Sequence, residues 1–232
     1  MAFLAGESIR RATIEVHPPA VKTADLTVPV LYYRDKEMLA AVVLSAGESS
    51  RMGRPKALLP VGQTFFLDRI VTALRATKVG GIFVVLGHNA AALKEKIKHL
   101  PVTILVNPDY SQGQLSSLQS ALRALEKEPI DGIVLHLVDH PFIDSALVDR
   151  MVDAFYASKK PIVVPVCRGR RGHPVIFSRD LFAELLAAPL DQGAKSVVRA
   201  HAAETLEIET DDEGITCDID TPEAYRQYVG GD

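Results

Sequence analysis

A three-layer α/β fold, with a mostly parallel central sheet and helices on both faces, is what three features of the 232-residue chain predict. From Met38 onward, short continuously apolar runs alternate with stretches of helical period. The runs show none of the in–out alternation that a solvent-washed sheet face imposes, and they break into Gly, Ser, Asn or Asp at their carboxyl ends. At 25.2 kDa the chain can bury a sizeable core, so one domain is expected over 38–232, preceded by an extension over 1–37.

The elements follow in order. Residues 1–37 include HPPAVKTADLTVPVLYYRDKE, with three prolines and charges of no helical period; 26–33 reads as one strand, and the segment as a whole as disordered, edge-packing or self-associating. Strand 39–44 feeds the loop LSAGESSRMGRPKALLP. A helix over 64–76 comes next, with Thr64 as N-cap and Phe66, Ile70, Val71 and Leu74 on one face. Strand 81–86, helix 90–98, strand 102–106, helix 115–125, strand 133–138, helix 145–157 with Asp144 as N-cap, and strand 161–166 complete the alternation. Thr221-Pro222-Glu223 starts a last helix, with Pro at its first position. Ligands of such sheets gather at the carboxyl ends of the strands, which puts loop 44–56, Gly87-His88-Asn89, residues 107–117 and Asp139-His140-Pro141 on one rim.

Charge and cysteine content narrow the partners. A net charge of −3 and a pI near 6.2 give no general attraction to nucleic acid or an anionic membrane. No apolar stretch reaches the roughly 18 residues of a membrane span, and the N-terminus lacks a signal-peptide core, so a cytoplasmic protein is expected. Cys167 and Cys217 lie outside any C-x-x-C spacing and read as buried small hydrophobes.

The chemistry concentrates in the first loop. Gly47 and Gly53 let successive amides face one concavity, and Arg51, Arg54 and Lys56 place three cations within six residues, a pattern suited to phosphate. It is neither a Walker A loop nor a G-x-G-x-x-G turn. Asp139, just past a buried strand, stands where Mg²⁺ bridging substrate phosphates would be held; the competing reading is a turn cap. Gly113 permits close approach of a ligand, and Ser116 and Ser117 either read a base edge or cap the helix. Arg168-Gly169-Arg170-Arg171-Gly172-His173-Pro174 reads equally as a solvated hairpin or as a site for an anionic second substrate. Asp218 and Asp220 fall on the loop before the last helix.

These segments resemble the MobA-like nucleotidyltransferases. The first loop matches L-A-A-G-x-S-x-R-M-G-x-P-K, and GQLSSLQSAL, VDHPFI, GHPVIF and DIDTPEAY follow in family order over residues 38–228. Ala46 and Pro55 set the chain nearer the cytidylyltransferase branch than the guanylyltransferase one. Departures are Ser45 for Ala, Ala121 for Gly, and DQGAK at 191–195. The resemblance implies a nucleotide-diphospho-sugar transferase-like, Rossmann-like fold and transfer of CMP from CTP to the terminal phosphate of molybdopterin, with release of pyrophosphate. It implies that Leu44, Ser45, Ala46, Gly47, Ser49, Gly113 and Ser117 bind the nucleotide together with Arg51 and Lys56. It further implies that Arg51, Lys56 and Asp139 carry catalysis, that Asp139 and Asp220 hold Mg²⁺ or Mn²⁺, and that His140, Pro141, Gly172, His173 and Lys195 bind the acceptor. An apo-molybdoenzyme or its maturation factor is the implied protein partner. Competing readings are use of GTP, transfer to a sugar phosphate or another phosphorylated alcohol, and a non-catalytic pterin or nucleotide carrier.

Overall fold

The computed structural model describes residues 38–230. The extension at 1–37 and the strand expected at 26–33 lie outside the described residues. The chain enters on β1 (Leu39–Ser45), buried along its whole length. Single 3-10 turns at Ser50–Met52 and Lys56–Leu58 lead to β2 (Pro60–Val61), β3 (Thr64–Phe65) and α1 (Phe66–Arg75). Thr64 is not the helix cap expected of it. It pairs with Val61 across the β2–β3 ribbon, and the helix begins two residues later, where the Phe66 amide donates to the Leu59 carbonyl at 2.9 Å. A short ribbon thus satisfies the backbone groups that a cap would have served.

The next elements lie within one residue of expectation: β4 (Gly81–Leu86), α2 (Ala90–Ile97), β5 (Thr103–Val106), α3 (Gln114–Leu125), β6 (Gly132–Leu137), α4 (Ser145–Ser158) and β7 (Ile162–Cys167). Asp144 caps α4, accepting from the Ala146 amide at 2.9 Å. After β7 the chain departs from simple β/α alternation. Arg168 and Gly169, both at positive φ, turn β7 into β8 (Arg170–Arg171), as a two-residue hairpin demands. β9 (Val175–Ser178) then runs antiparallel between β6 and β7. α5 (Phe182–Ala187), α6 (Lys195–Ala200), β10 (Thr205–Glu209) and α7 (Pro222–Tyr228) complete the chain.

The main sheet runs β10-β7-β9-β6-β1-β4-β5, parallel except at β9 and at β8, which pairs off β7. Alternate residues of β1 divide the core. Ala40, Val42 and Leu44 face Leu118, Leu122 and Leu125 of α3 with Phe182 and Leu185 of α5, while Leu39, Ala41 and Val43 face Ile70 and Leu74 of α1 with Leu147 and Met151 of α4. Each Val, Leu, Ile, Met or Phe side chain among them taken fully from water contributes about 1.5–3 kcal/mol. Burial on both faces explains why the strands read as unbroken apolar runs. Among the described residues, no helix is long and apolar enough to cross a membrane.

Candidate active site

The carboxyl end of β1 opens onto a cavity of about 280 Å³. One wall is Leu44 through Gly47 with Ser49, Arg51 and Lys56; the facing wall is Tyr110, Gly113, Gln114 and Ser117; Asp139 and Asp220 close the end. All the residues assigned above to nucleotide, metal and catalysis therefore meet in one space, although they span 176 positions of the chain, from 44 to 220. Arg54 is exposed and does not line it.

Local chemistry sets the loop. Ser49 takes a left-handed conformation (φ 53°), and its hydroxyl accepts the Lys56 amide at 3.1 Å, pinching the loop shut across seven residues. The pinch turns Lys56 inward, where its side chain is 14 % exposed. Its Nζ donates to Asp139 Oδ2 at 2.9 Å and also to Asp220 Oδ1. Arg51 Nη2 reaches Asp220 Oδ2 at 2.8 Å. Two cations and two carboxylates thus neutralise one another.

Backbone bonds put the carboxylates there. The Val138 amide donates to the Leu44 carbonyl at 3.1 Å, which keeps β6 against β1 up to the residue before Asp139. The Ile219 amide donates to the Asp139 carbonyl at 2.9 Å, drawing the Asp218–Asp220 loop to the same point. Behind it, α7 is anchored: Thr221 Oγ1 accepts the Ala224 amide, Tyr225 donates to the Pro60 carbonyl at 2.7 Å, and the Tyr225 ring stacks on Phe66. Burial of Asp139 opposes its ionisation, but the charge and hydrogen bond of Lys56 outweigh it and hold the carboxyl below its usual value.

On the facing wall Gly113 holds φ 101°, which favours glycine, and no side chain caps α3. The capping alternative for Ser116 and Ser117 is therefore not what the fold uses. Ser116 donates to the Gly113 and Asp109 carbonyls, and Asn107 Nδ2 donates to both serine hydroxyls at 2.9 and 3.0 Å. Ser117, on the cavity wall, keeps its own proton free for a ligand. Sequence reasoning placed Asn107 and Tyr110 on the rim within 107–117 but gave neither a role of its own. The available signal was a lone buried-type amide at the end of β5, nine residues before a serine pair.

The residues assigned to the acceptor are not among those that line the cavity. His140 is 8 % exposed and its ring sits 5.0 Å from that of His173, with His136 6.4 Å from each. Burial lowers all three: His136 to about 3 and His173 to about 4, each helped by a neighbouring imidazole, and His140 despite the opposing charges of Asp139 and Asp218. Sequence reasoning gave His136 no part in this group, because a histidine inside an apolar run looks like any strand residue. Lys195 is exposed, and its charge is felt at His173. Pro141 is buried, and its carbonyl accepts from Arg69 Nε at 3.1 Å. Gly172 packs directly on the Ile215 backbone, where a Cβ would collide. The basic turn beside it forms the solvated hairpin of the two readings, with Arg168 on Glu213 at 2.5 Å and Arg171 on Glu207 at 2.7 Å.

The family model of the MobA-like NTP transferase domain matches residues 41–205. Molybdenum cofactor cytidylyltransferase of Escherichia coli K12 is 28 % identical over 79 % of this chain and 92 % of its own length. Nicotine blue oxidoreductase of Paenarthrobacter nicotinovorans is 33 % identical over 83 % of this chain and 97 % of its own. Among solved structures, Rv0371c of Mycobacterium tuberculosis H37Rv in complex with manganese superposes with a TM-score of 0.71 at 28 % identity, covering 84 % of this chain and all of that one.

Proposed function

From the premise that the chain belongs to the MobA-like NTP transferase family, we propose that it transfers CMP from CTP to the terminal phosphate of a molybdopterin acceptor, acting in the cytoplasm. The observation that carries the proposal is the single cavity joining the Arg51–Lys56–Asp139–Asp220 charge cluster to the compact Ala46–Ser117 wall. In the reaction an acceptor phosphate oxygen attacks the α-phosphorus of CTP. The bond from that phosphorus to the bridging oxygen breaks, and pyrophosphate leaves with the electron pair. No protein nucleophile is required, because catalysis of this kind rests on in-line positioning and charge neutralisation.

Each residue group has a task in this reading. Arg51 and Lys56 exchange their carboxylate partners for phosphate oxygens. Ser117 donates to a cytosine acceptor atom, while the Ala46 methyl limits the room for a purine. His140, His173 and Lys195 receive the acceptor. A triphosphate brings several negative charges to a cluster that is already balanced, so a cation must accompany it. The residues fit one: Asp139 Oδ1 is buried without a hydrogen-bond partner among the described residues, as a carboxylate oxygen kept for an ion would be. A bound Mg²⁺ or Mn²⁺ would neutralise phosphate charge there, and the manganese complex of the solved relative supports a divalent ion.

The test is pyrophosphate release from CTP, GTP, ATP and UTP with a molybdopterin-type acceptor. CTP is expected to be preferred in kcat/KM, and Ala46→Gly to relax the preference by about tenfold, the scale on which small steric changes discriminate. Equal use of CTP and GTP, or a GTP preference, overturns the cytidylyl assignment. Release with none of the four overturns nucleotidyl transfer itself, a distinction that matters when a relative bears the name of an oxidoreductase.

A further inference from the structure

Among the described histidines, His201 alone has a carboxylate on each ring nitrogen. Its Nε2 lies 2.7 Å from Glu184 Oε2 on α5, and its Nδ1 lies 2.6 Å from Glu204 Oε2 in the 3-10 turn that follows α6. A neutral imidazole carries one N–H and one lone pair, and a carboxylate only accepts, so a neutral ring would set lone pair against lone pair at one of these contacts. The three groups therefore share one proton more than a neutral ring supplies. That proton belongs to the ring, because both glutamates are exposed and such carboxyls ionise near pH 4. His99, with Asp68 on Nε2 alone at 2.8 Å, has no such requirement. Glu184 and Glu204 accordingly hold the His201 imidazole above the ordinary 6.5.

The contact joins two helices that flank a segment with no other tether. α5 is fixed from the cavity side: Gln119, two residues past Ser117 on α3, donates from Nε2 to the Leu185 and Leu186 carbonyls at 3.1 and 3.2 Å. Ala188 and Ala194, at the two ends of the segment, pack on the core that α3 and α5 share. Between them, the hydrogen bonds of residues 189–194 all stay within 189–198 among the described residues, so the two flanking helices set the place of the segment. It leads to Lys195, the first residue of α6, whose charge is felt at His173. His201 ends the same helix, about 9 Å further along its axis.

We propose that His201, as an imidazolium, is a positioning residue: it draws the end of α6 onto α5 and so fixes the 188–195 segment and Lys195 on the acceptor side of the site. Loss of the proton makes one of its two contacts repulsive and releases α6. The clamp is complete below pH 6.5 and is lost as the pH rises through the higher folded-state value of His201. Glu184 faces the ring from α5 and Glu204 from the turn after α6; Lys160, ahead of β7, is the neighbouring cation, with its Nζ 3.4 Å from the Ala203 carbonyl. Exposed charges of this kind are screened by salt, so added salt opens the clamp at lower pH. The acceptor role of the segment rests on the nucleotidyl-transfer reading, whereas the clamp itself does not.

The test follows the histidine Cε1–H resonances of the full chain by NMR from pH 5 to 9, with His201 identified by its absence in His201→Gln. Amide hydrogen exchange of residues 182–200 is followed over the same range and referred to the intrinsic rate at each pH. His201 is expected to titrate above 6.5, and Glu184→Gln and Glu204→Gln each to lower its midpoint. Exchange over 182–200 should quicken at least threefold as His201 loses its proton. His201→Gln should show the faster rate at every pH, and the permanently charged His201→Arg the slower one. A midpoint at or below 6.5, or exchange that does not follow the titration, overturns the clamp. With CTP and a molybdopterin-type acceptor, His201→Gln should raise the acceptor KM at least threefold below pH 6.5, leave the KM for CTP unchanged, and abolish the rise of the acceptor KM with pH. Equal changes in both KM values overturn the assignment to the acceptor side. Absence of turnover with every nucleotide, with titration and exchange as expected, would instead strike the functional reading and leave the clamp standing.

Discussion

The loop side of the site, from Ala46 to Lys56, meets its ligand with full charges already paired across the cavity, whereas the side built from β6 and the turn before β9 presents three imidazoles that burial keeps uncharged. The first arrangement can trade partners: an ammonium leaves a carboxylate for a phosphate at little net cost, because one charge-assisted bond replaces another. The second cannot trade, since the imidazoles sit in low dielectric with their Nδ1 atoms unpartnered among the described residues. On the proposed function, one half of the rim would give up these pairs for the phosphates of an entering nucleotide. The other is a fixed, desolvated seat.

Asp139 joins the two halves, and changing it should do the most damage. Asp139→Asn removes a charge needed on both sides and is expected to cost several kcal/mol of transition-state stabilisation, about a hundredfold to ten-thousandfold in turnover, with the melting temperature little changed. A turnover near that of the parent would break the comparison at its hinge. Lys56→Ala tests the exchangeable side. It should weaken CTP binding or turnover by about 1.5–3 kcal/mol, and Lys56→Arg should not restore it, because a planar fork does not fit where an ammonium bridges two carboxylates. Unchanged kinetics in Lys56→Ala would remove the loop from the mechanism.

The fixed side is probed by acid. His136 and His173 have folded-state values of about 3 and 4, below the ordinary 6.5. Between pH 6.5 and roughly 4 the unfolded chain binds protons that the folded chain refuses. Their contribution is thus complete above pH 6.5 and is lost as the pH falls, by about 1.4 kcal/mol per pH unit for each imidazole. Urea unfolding of chelator-treated protein from pH 7 to 4.5 should show this slope, and His136→Gln should reduce it. A flat profile would mean that the cluster hydrates readily and is no fixed seat.

The sequence exposed the two halves unequally. From β1 to β7, all but the β2–β3 ribbon was legible, because the main-sheet strands are mostly apolar and buried and each helix buries one face, so that composition and period coincide. Loop 44–56 was legible because its glycines and cations are neighbours in the chain. The direction of β9 was not, since an apolar run of four residues reads the same parallel or antiparallel. Thr64 misled because a cap and a ribbon residue share the same preferences, and only the pairing with Val61 separates them. The partnership of Asp220 with Lys56 spans 164 positions, and that of His136 with His173 depends on β6 meeting the turn ahead of β9. Such contacts are set by topology, which local spacing does not encode.

β1 hydrogen-bonds to β4 on one side and to β6 on the other, and both partners lie later in the chain. During synthesis β4 emerges soon after β1, but β6 comes only after α2, β5 and α3 have been made. At about 5–20 residues per second, that delay lasts seconds. Throughout it the nascent chain presents Leu39-Ala40-Ala41-Val42-Val43-Leu44, without a charge or a proline, along an open edge that invites pairing with another strand. The strand that leads into loop 44–56 in the finished protein thus keeps one edge unpaired on the ribosome until Leu137 has been added.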